Sequence, residues 1–103
     1  MIGFGLPSDG AYTRAGILAS APNASGVYAL FINATRYIYI GEAKDIQARL
    51  LEHLGGDNVC ITRNQPTHFA YDLVPASQRV ARQDELIAMC GTMAPAGCNQ
   101  RFG

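Results

Sequence analysis

The chain has 103 residues, 49% of them hydrophobic, with eight basic and eight acidic side chains and a formal net charge of zero. That length and composition fit one packed domain and exclude both a disordered chain and a pair of separate cores. Neutrality argues against strong non-specific binding of nucleic acid, because phosphate affinity comes largely from lysine and arginine.

No apolar run approaches the ~20 residues that span a bilayer, so no membrane partner is expected. No basic stretch precedes an apolar one, as it would in a signal peptide. The cysteines, Cys60, Cys90 and Cys98, form no close pair. An odd number without a secretion signal predicts free, mostly buried thiols and a cytoplasmic location.

Residues 1–24 are poor in charge, and Gly3, Gly5, Pro7 and Gly10 argue against a long regular element there. Thr13 to Ala21 reads as a short helix stopped by Pro22. This stretch is an N-terminal extension of unknown role, ahead of a domain spanning residues 25–103. Gly26 to Ile32 reads as a strand with two apolar faces, Asn33 to Thr35 as a turn, and Tyr37 to Ile40 as an antiparallel second strand. Gly41 ends that strand in a tight turn. Asp45, as N-cap or first-turn acid, opens a helix that carries Ile46, Leu50, Leu51 and Leu54 on one face and stops at Gly55-Gly56. Asp57 to Pro66 reads as a loop with one short element around Val59 to Thr62. Thr67 to Val74 alternates as a third, half-buried strand. Ser77 then caps a helix from Gln78 to Cys90, with Val80, Leu86, Ile87 and Cys90 facing inward, and Gly91 ends it. The sum is an α+β domain, a three-stranded antiparallel sheet flanked by helices.

Two tyrosine motifs flank the predicted hairpin, Gly26-Val27-Tyr28 and Tyr39-Ile40-Gly41. Arg49 and His53 follow four residues apart, hence on one helical face. Taken singly, each has a plain structural reading: strand aromatics, a surface ion pair of Arg49 with Glu52 or Asp45, a histidine near a helix C-terminus. As a series, from Ser25 to Asn99, they resemble the catalytic module of the GIY-YIG nuclease superfamily. The resemblance implies hydrolysis of a DNA phosphodiester with one bound divalent cation, Mg²⁺ or Mn²⁺. Tyr39 would be the general base, and Tyr28 would order its phenol. Arg49 would hold the scissile phosphate, and His53 would assist proton transfer. Gly26 and Gly41 would shape the backbone, and Asn99 matches the family's late asparagine.

One position departs from that pattern. The family's metal-binding glutamate stands three residues before the leucine of a Leu-Ile pair; three before Leu86 is Gln83, which offers an amide oxygen but no charge. Glu85 is the nearest carboxylate, yet two residues along a helix turn the side chain by ~200°. Glu85 as ligand with a shifted helix, an altered position 83, and help from Glu42 remain open alternatives. Without the carboxylate, the alternative function is a degenerate nucleic-acid-binding module. Arg63, Arg79 and Arg82 are candidates for a phosphate-tracking surface, and a lone domain of this type would work with a protein partner or as a homodimer.

Overall fold

The computed structural model describes residues 8–33 and 36–100. Residues 1–7, the tip of the predicted turn at 34–35, and the tail 101–103 lie outside it.

Val27, Ala29 and Phe31 alternate with Tyr28 and Leu30, and both sets are buried. A strand with two apolar faces must run between two layers. That strand, β2 (Gly26–Asn33), is central, pairing antiparallel with β3 (Arg36–Ala43) on one side and β4 (His68–Leu73) on the other. A further strand, β1 (Ser8–Ala11), pairs with the outer edge of β4, so the sheet is four-stranded in the order β1-β4-β2-β3. The expected three strands are therefore corrected to four, and the addition comes from the N-terminal stretch. Ser-Asp-Gly-Ala has no apolar alternation to betray a strand, and the ladder of a sheet is made by backbone groups that every residue carries. Gly10 lies against Phe69, where an added Cβ would come within 3.0 Å of the ring.

Helices cover both faces. Between β1 and β2, α1 (Arg14–Ser20) begins at Thr13, whose hydroxyl accepts from Gly16 N at 3.0 Å. On the same face lie α2 (Ile46–Leu54) and α3 (Val59–Asn64), which bury Ile46, Leu50 and Ile61 together with Ile17, Tyr28, Leu30, Ile38 and Phe69. Asp45 caps α2 as expected, accepting from Ala48 N at 3.0 Å. The segment expected to be mostly loop is helical to Asn64 because Asn58 caps it. The opposite face is covered by α4 (Arg79–Cys90), which packs Leu86 and Ile87 on Val27, Ala29, Phe31, Ile40 and Ala70.

Three local expectations are corrected. A 3₁₀ turn, Ala76–Gln78, precedes α4, which starts without a side-chain cap, so Ser77 is not its N-cap. Val80 is 43% exposed rather than inward. Gly41 does not end its strand: it lies inside β3 opposite Tyr28, where a Cβ would sit 2.3 Å from the tyrosine oxygen. Glycine is needed there for close approach of a ring, not for a turn.

Between the pairs Leu30–Tyr39 and Phe31–Tyr37, β3 carries one extra residue, Ile38. Such a bulge flips the alternation. Tyr37 packs on Phe31 of the α4 layer, ring centroids 5.5 Å apart, whereas Tyr39 turns to the α2 layer beside Tyr28.

The free-thiol expectation is corrected as well. Cys60 of α3 and Cys98 form a disulfide across 38 residues, and only Cys90, among the described residues, is a free thiol. The argument for a reducing compartment built on free thiols loses that support. The bond secures the C-terminal segment, which also donates from Cys98 N to Ile38 O at 2.7 Å.

Candidate active site

Tyr28 on β2, Tyr39 on β3 and His53 on α2 meet at the end of the sheet beneath α2. The ring centroids of His53 lie 5.6 Å from Tyr28 and 5.4 Å from Tyr39, and the two phenols are 6.3 Å apart. Spacing creates this meeting: Tyr28 and Gly41 are direct cross-strand partners, regular pairing down to Leu30 and Tyr39 keeps Tyr39 on the same side, and the four-residue step from Arg49 to His53 places both on one face of α2. His53 is 2% exposed, and its Nε2 lies 2.6 Å from the Tyr28 oxygen.

Asp57 completes this group, and the sequence reading overlooked it. Its Oδ1 lies 2.8 Å from His53 Nδ1 and its Oδ2 accepts from Arg49 NH1 at 3.0 Å. The signal was present as an acid four residues after His53, but α2 stops at Leu54, so helical spacing alone does not bring it round. Arg49 also pairs with Glu52 at 3.0 Å and remains 40% exposed at its side chain, able to meet a ligand from solvent.

Burial sets the protonation states. Tyr28 is pushed well above the ordinary phenol range by desolvation, with Tyr39 nearby adding to the effect and Arg49 opposing it. Tyr39 is raised for the same first reason, and again Arg49 pulls it down. His53 is lowered by burial, while its bond to Asp57 pulls the other way. At neutral pH the group therefore holds two phenols and a neutral imidazole beside an arginine.

A cleft of about 350 Å³ opens next to Tyr39, lined also by Glu42, Asn58, Gln83 and Asn99. A second groove, of about 220 Å³, runs past Lys44, Arg49 and Glu52 and shares Glu42 with the first. Gln83 thus faces Tyr39 across the cleft. Glu85 does not line it and pairs instead with Arg82 on the exposed side of α4. Glu42 accepts from Arg79 Nε at 2.7 Å, and the same guanidinium reaches Ser25 Oγ at 3.0 Å. Of the arginines considered for tracking phosphates, Arg79 and Arg82 are thus engaged with carboxylates of the fold.

Asn99 is 5% exposed, and its amide bonds both backbone groups of Ile40: Ile40 N donates to its Oδ1 at 2.9 Å, and its Nδ2 donates to Ile40 O at 2.8 Å. It completes the outer edge of β3 right beside Tyr39. Gly26 allows β2 and β4 to close up, since a Cβ there would lie 2.1 Å from Asp72 O.

An ion in this cleft could take oxygen donors from the Glu42 carboxylate, the Gln83 amide and the Tyr39 phenol. Hard cations such as Mg²⁺ and Mn²⁺ take such ligands. The donor set fits an ion of that kind, with one carboxylate rather than several and with Arg79 competing for it.

No curated protein matches the chain in sequence. Among solved structures, the GIY-YIG N-terminal endonuclease domain of UvrC from Thermotoga maritima with its catalytic magnesium superposes with a TM-score of 0.64 at 28% identity, covering 76% of this chain and 89% of that one. A tyrosine-to-phenylalanine mutant of that domain matches with the same score at 27% identity, covering 76% of this chain and 89% of its own, and an asparagine-to-alanine mutant at 28% identity, covering 76% and 88%; both hold the divalent cation. The family profile described as the GIY-YIG catalytic domain matches residues 24–88, well over half of the chain. The chain therefore belongs to the GIY-YIG family and is a GIY-YIG nuclease domain.

Proposed function

We propose that this domain is a divalent-cation-dependent endonuclease that hydrolyses DNA phosphodiester bonds. The observation that carries the reading is the convergence of Tyr28, Tyr39, His53 and Arg49 beside a cleft that also offers the oxygens of Glu42 and Gln83. Arg49 opens to solvent and is the group suited to grip the scissile phosphate and to offset charge growing on its oxygens. Tyr39 lines the cleft and is the candidate general base, directly or through one water. Tyr28, hydrogen-bonded to His53, holds the ring layer behind it.

A phenol raised by burial is a poor base until positive charge approaches it. Arg49 supplies part of that charge. Glu42 and Gln83 would hold the cation, which supplies Lewis-acid stabilisation of phosphate oxygens when bound. Glu85, paired with Arg82 away from Tyr39, is the weaker choice of ligand.

Cleavage of plasmid, single-stranded and branched DNA with Mg²⁺ or Mn²⁺ tests the proposal. The expected result is cutting that disappears on chelation and is lost in Tyr39→Phe. Retention of DNA with no cutting, by this chain and by Gln83→Glu alike, would overturn it in favour of a binding module.

A further inference from the structure

Asp57 belongs to neither strand pairing nor helix, yet it touches both functional groups of α2. Gly55 and Gly56 fold the chain back beyond the helix, Gly56 with a φ of +95°, so that the carboxylate returns under His53. Its two oxygens are divided between His53 Nδ1 at 2.8 Å and Arg49 NH1 at 3.0 Å. An ionised carboxylate can only accept hydrogen bonds. The hydrogen between them must therefore sit on Nδ1. In a neutral ring that leaves Nε2 as an acceptor, and the Tyr28 hydroxyl, 2.6 Å away, must be the donor.

We propose that Asp57 is a positioning residue for the hydrolysis: it fixes the Nδ1–H tautomer of His53 and the direction of Arg49, and so aims the Tyr28 hydroxyl at His53. Its effect on rate rests on the nuclease reading above; the tautomer rests on geometry alone. Other ionisable groups also face or act on His53. Tyr28 reaches it from β2, Tyr39 from β3, and Arg49 and Glu52 from its own helix; Tyr12 lines the cavity behind it. Of these, only the Asp57 carboxylate can impose a proton on Nδ1. Among the described residues it is the one carboxylate bonded to the ring.

Long-range ¹H–¹⁵N correlation spectra of the full chain, with Asp57→Asn and Asp57→Ala beside it, test this. The unaltered chain is expected to show His53 neutral and protonated at Nδ1. Asp57→Asn retains an acceptor oxygen and should keep that tautomer, whereas Asp57→Ala should shift the proton to Nε2, with Tyr28 turned into the acceptor. The kcat for DNA cutting should fall about 10- to 100-fold in Asp57→Ala and less in Asp57→Asn, a fraction of what proton-transfer groups contribute. Asp57 lies in a loop and its side chain is 34% exposed, so Asp57→Asn should unfold close to the parent temperature, while Asp57→Ala, which leaves the buried His53 Nδ1 without its partner, should unfold a few degrees lower and remain folded under the conditions of the spectra. An Nε2–H ring in the unaltered chain, or an unmoved tautomer in Asp57→Ala, overturns the proposal. A moved tautomer with undiminished kcat overturns its catalytic part. If no variant cuts DNA, the nuclease reading fails while the spectra still decide what Asp57 does to His53.

Discussion

The two walls of the site are built differently. The wall made by β2, α2 and the loop after α2 is a chain of polar contacts, Tyr28 to His53 to Asp57 to Arg49, each at 3.0 Å or less. The wall made by α4 is anchored by dry packing of Leu86 and Ile87; it presents Gln83 to the cleft and ties Arg79 to a single carboxylate, Glu42. In the first wall the residues that could do chemistry also hold one another in place. In the second, the packing of α4 is indifferent to what stands at position 83. A carboxylate there can be replaced by an amide without disturbing the fold, whereas removing one member of the first wall orphans its neighbours.

That contrast can be broken at its strongest point first. Tyr39→Phe should lower the cutting rate by about 10²–10⁴-fold, the range for a general base, with an unchanged circular dichroism spectrum. On the other wall, Leu86→Ala should cost about 2–5 kcal/mol of stability in urea unfolding, since Leu86 is wholly buried, while Val80→Ala on the same helix should cost about 0.5 kcal/mol or less. Asn99→Ala strands the N–H and C=O of Ile40 and should cost about 1–3 kcal/mol. Its rate loss should then be partly recovered at lower temperature, as expected if the residue supports β3 rather than touching substrate. Gln83→Glu should tighten Mn²⁺ binding, read by electron paramagnetic resonance, by about tenfold, because ligand charge governs affinity for hard cations. Equal binding in both forms would mean that the ion sits elsewhere.

The smallest effect concerns pH. Burial lowers the pKa of His53 in the folded chain below its value of 6.5 in the unfolded one. The unfolded chain therefore binds more protons as pH falls below 6.5, and stability should decline there. It should be independent of His53 above that value. Asp57→Asn removes a contact that raises the His53 pKa, so it should widen that acid-sensitive window towards lower pH. Thermal unfolding between pH 5 and 8 checks both.

Much of the first wall was legible in the sequence. Gly26, Tyr28, Tyr39, Arg49 and His53 lie within one hairpin and one helix, where alternation, turn residues and a four-residue step carry the geometry locally. The second wall was partly legible: helical angles correctly set Gln83 and Glu85 on different sides of α4. Asp57 was missed because a chain reversal at Gly55-Gly56, not a repeat, brings it to His53.

The sequence by itself determined the strands and helices of the hairpin module, the start of α2 at Asp45, and the common face of Arg49 and His53, because all of these depend on neighbours a few residues away. Only the tertiary structure decided the edge strand at Ser8–Ala11, the bulge at Ile38, the Cys60–Cys98 bond and the clasp of Asn99 on Ile40. The edge strand, the sulfur pair and the Asn99 clasp join segments far apart along the chain, and such contacts leave no periodic mark on the residues that make them; the bulge, though local, breaks the alternation from which a strand is read.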